Sequence, residues 1–284
     1  MIFVLFSKNL KTLSIAEHAK FCREVGLQGF DLAIRPGYPV NGDNVETALP
    51  EAVKAWKSEG LAVPMATLQW DVTDPRKPEY EKILASCAAV GCKFIKLGYW
   101  QFKPGMDYWK TVDLIRWDLA GWQRLAEKHG LKICHHIHSG RDFGSNASAT
   151  MHIVKGCDPR FIGVYVDPCH LAFDGEDYCL AFSMVRDYLT LCSLKNCAYT
   201  REEKNGRVVW KKGLVPMREG LVPYHEVIPM LLKDFAFDNV FSFHSEYEKM
   251  TMDQLRAVTK NDVACVRDIL VGMGLKPAMG VPKS

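Results

Sequence analysis

The sequence has no glycine-rich phosphate loop, no CxxC pair, no basic run and no apolar stretch long enough to span a bilayer. Each absence removes a class of function. The first strand-like segment leads into Ser7-Lys8-Asn9-Leu10, so the dinucleotide fingerprint is missing and no nucleotide cofactor is expected. The net charge is only +3, with Lys and Arg scattered among Asp and Glu, so no nucleic-acid partner is expected. The apolar runs fall short of the roughly 20 residues of a membrane span, which argues against a membrane partner. No charged segment precedes a secretory apolar run, because Met1-Ile2-Phe3-Val4-Leu5-Phe6 reads as a strand. The ten cysteines lack paired spacing, and Cys22, Cys87, Cys134 and Cys192 fall on apolar faces of expected elements. They read as reduced core thiols, so a cytoplasmic location is the expectation.

What is present is an alternation. Eight short segments rich in Val, Ile, Phe and Leu, at 2–7, 29–35, 62–69, 93–99, 132–138, 162–168, 190–197 and 239–247, read as strands. Helical patterns separate them. Ser14 and Glu17 form a capping box ahead of Ile15, Ala19, Cys22 and Val25. Trp109, Val112, Ile115, Leu119, Trp122 and Leu125 keep the three-four spacing of one apolar stripe. No linker or change of composition divides the chain, so residues 1–284 read as a single domain. Eight strand–helix units in this length favour a closed (β/α)8 barrel over an open doubly wound sheet. The stretch 199–222 is the longest irregular one, with a hairpin expected at Lys204-Asn205-Gly206-Arg207. It reads equally well as a lid or as surface decoration. The tail 276–284 reads as loose.

A parallel barrel gathers its strand tips around one mouth, and alternation along each strand sorts inward from outward side chains. Parity turns Asp31, Arg35, Thr67, Gln69, Lys96, His136, His138, Asp167, Ser193, Lys195, His244 and Glu246 inward. His136, His138, Asp167 and Glu246 are candidate ligands for a divalent ion such as Mn²⁺, Zn²⁺ or Mg²⁺. Against that, Arg35, Lys96 and Lys195 already balance Asp31, Asp167 and Glu246, so a pocket without metal stays open. The deeper Asp31 and Lys96 are expected to form a structural ion pair. Arg35, Gln69, Trp70, Trp100, Trp210 and His244 are candidates for gripping a small carbohydrate through hydrogen bonds and ring stacking.

The segments Gly29-Phe30-Asp31-Leu32, Gly163-Val164-Tyr165-Val166-Asp167-Pro168-Cys169-His170, Ser193-Leu194-Lys195-Asn196 and Phe243-His244-Ser245-Glu246-Tyr247 carry a family resemblance. The chain resembles the sugar phosphate isomerase/epimerase group of xylose isomerase-like TIM barrels, to which endonuclease-IV-type repair enzymes also belong. The resemblance implies a divalent metal held by Glu, Asp, His and Glu from strands five to eight. Here Asp167 and Glu246 match, His136 stands where the first Glu would be, and Ser193 where the His would be. It also implies enolisation of a sugar or keto-sugar, with Glu246 as the base. A metal, or else Lys195 with His170, would stabilise the oxyanion. Isomerisation or epimerisation is the expected outcome. Loss of a substituent from a 3-keto-glycoside, by a lyase or hydrolase, is the alternative. A metal-free sugar-binding barrel and a DNA-repair enzyme are the remaining readings. Relatives often pair, which leaves room for a homodimer.

Overall fold

The computed structural model describes residues 1–276, so the tail expected to be loose lies outside the described residues apart from Lys276. Eight strands close into one parallel barrel: β1 (Ile2–Phe6), β2 (Gly29–Ile34), β3 (Ala62–Leu68), β4 (Phe94–Lys96), β5 (Lys132–His136), β6 (Ile162–Val166), β7 (Leu189–Leu194) and, last in sequence, β10 (Val240–Phe243). Two more, β8 (Asn196–Lys204) and β9 (Arg207–Val215), form a separate antiparallel hairpin. Around the barrel run α1 (Ile15–Val25), α2 (Val45–Ser58), α3 (Pro78–Ala89), α4 (Tyr108–His129), α5 (Ala147–Val154), α6 (Pro168–Asp174), α7 (Tyr178–Met184), α8 (Tyr224–Lys233) and α9 (Met252–Gly272). Among the described residues no helix is long and apolar enough to cross a membrane.

Alternation along the strands builds two cores. Outward side chains such as Phe30, Ile95, Ile133, Val164 and Phe241 join the helix faces in one large apolar shell. Inward ones, Val4, Met65, Cys134, Tyr165, Leu191 and Val240, plug the barrel from below. The plug closes the floor, so polar inward residues higher up face a dead-ended mouth. Helix ends follow local chemistry. Ser14 and Glu17 close the expected capping box on α1, and Gly26 takes a left-handed turn (φ 82°) that ends it. The stripe on α4 buries Val112, Ile115, Leu119 and Trp122, but Trp109 at its start is 59% exposed. Trp109 sits in the first turn, edge-on against His152 of α5, while its neighbour Tyr108 stacks on Phe143.

The stretch expected to be irregular is ordered instead. β8 and β9 pair residue by residue from Asn196↔Val215 to Lys204↔Arg207. The tip is the expected turn, with Asn205 (φ 52°) and Gly206 (φ 70°) both left-handed, as a tight two-residue hairpin requires. The outer halves of the strands are exposed on both faces, which hides the period-2 pattern that would have marked them.

Gly29 shows how closely the strands approach. A Cβ there would lie 1.9 Å from the Ala62 carbonyl oxygen, next to the register shift between β2 and β3. Gly29→Ala should therefore destabilise the protein by about 1–3 kcal/mol, because backbone rather than a side chain must yield. Urea unfolding checks this, and an unchanged midpoint would show that the strand pair can spread.

Candidate active site

The mouth is built around Asp167, the residue that follows β6. Its Oδ1 accepts from the backbone N–H groups of Cys169 (3.0 Å) and His170 (3.2 Å), capping α6. Its Oδ2 faces His136 Nε2 at 3.0 Å and the Lys195 ammonium at 3.0 Å. One fully buried carboxylate thus ties together β5, the start of α6 and the end of β7. Lys195 also lies 3.7 Å from Glu246 and donates to His170 Nε2 at 3.0 Å. His170 Nδ1 contacts the Ser139 hydroxyl at 2.9 Å.

The charge states follow from these contacts. Burial opposes the charge on Lys195, yet Asp167 and Glu246 outweigh it and hold the ammonium above the ordinary lysine range. Burial would likewise raise Asp167, but Lys195, His170 and His136 hold it well below its usual range. Burial works against ionised Glu246 as well; the hydrogen bond with His244 and the charges of Lys195 and Lys8 override it and hold it well below 4.5. That makes Glu246 a poor proton acceptor. Burial, joined by the neighbouring Lys195, keeps His170 neutral.

Below this layer Asp31 is a hydrogen-bond hub. It accepts from Thr67 Oγ1 (2.6 Å), Ser242 Oγ (3.0 Å) and the Tyr165 hydroxyl (3.3 Å). Tyr165 also meets His244 Nε2 at 2.7 Å and stacks under His136, with ring centres 4.4 Å apart. The expected Asp31–Lys96 ion pair is not made. Hydroxyls satisfy the aspartate, and Lys96 lies instead over the Tyr99 ring, 3.5 Å from its centre.

The donor set does not fit the divalent metal suggested by His136, His138, Asp167 and Glu246. Among the described residues no three His, Cys, Asp or Glu side chains converge as ligands would. The reason lies in the hydrogen bonding. His136 points Nε2 at Asp167 and accepts at Nδ1 from the Tyr99 hydroxyl (2.8 Å), so it has no free lone pair. His138 turns Nδ1 onto Asp142 at 2.6 Å. The Lys195 ammonium fills the space between the two acids that a cation would take.

His138 gains a different character from that contact. Asp142, 8% exposed, accepts from Nδ1–H and leaves Nε2 as the acceptor, and no hydrogen bond occupies it. The side chain is 35% exposed and borders two lobes of the mouth, an inner one of about 240 Å³ and an outer one of about 500 Å³. Lys8, Lys195 and Glu246 border both lobes too.

Of the candidate substrate-binding residues, Arg35, Trp70 and His244 line the inner lobe. Gln69, Trp100 and Trp210 line neither lobe. Gln69 sits at a turn, its carbonyl accepting from Val72 N. Trp100 packs between His135 and the helix layer, and Trp210 lies 63% exposed on the outer half of β9, opposite Arg201. Sequence reasoning missed Lys8, Tyr99 and Asp142. Lys8 lies two residues past the end of β1, so strand-tip logic could have found it; Asp142 lies in a loop where no periodicity applies.

A closed parallel barrel with buried acids, histidines and a lysine at its C-terminal mouth has the architecture on which TIM-barrel sites are built. The chain belongs to the xylose isomerase-like TIM barrel family, whose profile matches residues 19–269. Among solved structures it resembles the apo form of a 3-keto-D-glucoside 4-epimerase from E. coli. That match has a TM-score of 0.72 and 15% identity, and covers 94% of this chain and 99% of that one. It also resembles a D-psicose 3-epimerase solved in the presence of D-fructose, with a TM-score of 0.69, 13% identity and coverage of 95% and 99%. A probable 3-DHS dehydratase from Bacillus anthracis aligns with a TM-score of 0.65, 18% identity and coverage of 92% and 98%. Likenesses at this identity establish the fold. A search of curated proteins found no match.

If Lys195 takes the cation's place, exhaustive dialysis against a chelator should leave the melting temperature unchanged, and elemental analysis should find no stoichiometric divalent ion. A tightly held ion whose removal lowers the melting temperature would restore the metal site.

Proposed function

We propose that the protein is an isomerase or epimerase of a sugar or keto-sugar, acting by removal of a proton α to a carbonyl. The observation that carries this reading is the buried Lys195 ammonium, set between two acids and opening onto a cavity of monosaccharide size. A substrate carbonyl oxygen lodged against Nζ gains negative charge as the enolate forms. A fixed ammonium in a site poor in water stabilises that charge better than bulk solvent does. His170, accepting from the same ammonium, keeps it aimed.

The proton goes to His138 in this scheme. Asp142 orients its ring and leaves Nε2 as the acceptor, the arrangement of a carboxylate-supported general base. Glu246 was expected to be the base from sequence. Its cationic neighbours make it better suited as the counter-ion of Lys195 and Lys8. Return of that proton from His138 to the neighbouring carbon, with the adjacent hydroxyl proton passing to the former carbonyl oxygen, gives isomerisation. Epimerisation requires the same carbon to be reprotonated on its opposite face by a second donor such as water. The epimerases among the structural relatives agree with sugar chemistry on this fold.

Incubation with ketoses, aldoses and 3-keto-glycosides in D2O tests the reading. Interconversion with deuterium incorporation at one carbon is expected. Release of an aglycone would make the protein a lyase or hydrolase, and absence of exchange with every sugar would sink the proposal. His138→Ala should lower kcat by about 10²–10⁴-fold. Lys195→Met should lower kcat by at least about 10²–10³-fold, with Lys195→Arg as the folded control. The pH profile gives a separate check. A lysine held above 10.5 keeps its charge as pH rises, so kcat should show no alkaline limb from Lys195 below that value. Loss of kcat near pH 9 with an intact fold would contradict its role.

A further inference from the structure

Two basic side chains at the inner end of the mouth have no role in the chemistry above. Lys96 is 1% exposed, and its Nζ has no hydrogen-bond partner. Arg35 Nε is also buried without a partner, its guanidinium 5.3 Å from the centre of the Phe6 ring. Both side chains line the inner lobe, together with Thr67, Trp70 and Tyr99. Among the described residues neither forms an ion pair. Asp31 is taken by hydroxyls, and Glu246 by Lys8, Lys195 and His244. Burying an amine and one guanidinium nitrogen without a partner is costly, and a fold tolerates it where a ligand supplies the missing acceptor.

We propose that the inner lobe binds the carboxylate of a sugar acid between Lys96 and Arg35, with the sugar carbon chain running outward to Lys195. The class of ligand follows from size and shape. About 240 Å³ lies below the range of drug-sized pockets and must hold both the anion and the carbon chain, which favours a small planar group. The Arg35 fork matches a carboxylate through two parallel hydrogen bonds, and Lys96 adds a point charge from the floor. Trp70, 54% exposed at the rim of the same lobe, offers a ring face to the sugar C–H groups.

The empty site also has a measurable signature. Burial and the nearby Arg35 charge hold Lys96 well below the usual lysine range, while Asp31, Glu246 and Asp142 pull only weakly the other way. A bound carboxylate pulls Lys96 back toward its charged form, so any proton exchange that accompanies binding should be uptake rather than release.

This substrate class rests on the reading of the mouth as a sugar-enolising site, but its test needs no turnover. D-gluconate, D-glucitol and glucose 6-phosphate are titrated calorimetrically into the full-length protein in two buffers of different ionisation enthalpy. D-gluconate should bind at least tenfold more tightly than D-glucitol, with no net proton release. Lys96→Met, whose apolar replacement suits a buried position, should reduce that preference at least threefold while leaving the melting temperature intact. Equal affinity for the acid and the alcohol would overturn the proposal, as would a preference for the phosphate ester or a preference undiminished in Lys96→Met. If the acid preference holds while no keto-sugar exchanges deuterium, the anion subsite stands and the enolisation reading fails.

Discussion

The contact between Asp167 and Lys195 organises the mouth of this barrel. Each ion loses several kcal/mol of hydration on burial, so the pair persists only because the remaining valences of both groups are satisfied. Asp167 meets that condition by dividing its oxygens: Oδ1 accepts two amides at the start of α6, and Oδ2 faces the ammonium and His136. Lys195 meets it with Asp167, Glu246 and His170. Removing either charge would strand the other in a medium of low dielectric, and removing Asp167 would also take the cap from α6. The position of the buried ammonium and the seating of a helix therefore depend on the same carboxylate.

That arrangement also explains why a metal-like set of residues is not arranged as one among the described residues. Histidine ligation requires a free ring nitrogen aimed inward. Each of the three relevant rings spends its nitrogens otherwise: His136 on Asp167 and Tyr99, His170 on Lys195 and Ser139, and His138 on Asp142 at one nitrogen only. The surviving lone pair on His138 is the one free to take a proton. Orientation rather than composition decides which ring nitrogens stay free here.

The barrel was legible from sequence because alternation and spacing are local properties. All eight strands fall where the apolar runs are, and parity turns Asp31, Lys96, His136, Lys195 and His244 inward as expected. What escaped was pairing, which depends on side chains far apart in the chain. Asp31 and Lys96 share the interior, yet hydroxyls from β3, β6 and β10 reach the aspartate first. The hairpin strands β8 and β9 escaped because their outer halves face water on both sides and carry no alternation. Trp100 and Trp210 show the limit of reading aromatic rings as sugar platforms: one packs inward, and the other stands out on the hairpin.

The hairpin's root adjoins the lysine. Asn196, the first residue of β8, follows Lys195 and is pinned by Met217 and Val222, while Tyr199 ties the strand to Phe173. Beyond those anchors the ribbon stands free of the barrel, and only Lys211, Lys212, Gly213 and Leu214 border the outer lobe. Its far end can thus lengthen, shorten or change residues over generations without moving the ammonium. A lineage could in this way alter what the rim admits while the deep chemistry stays constant.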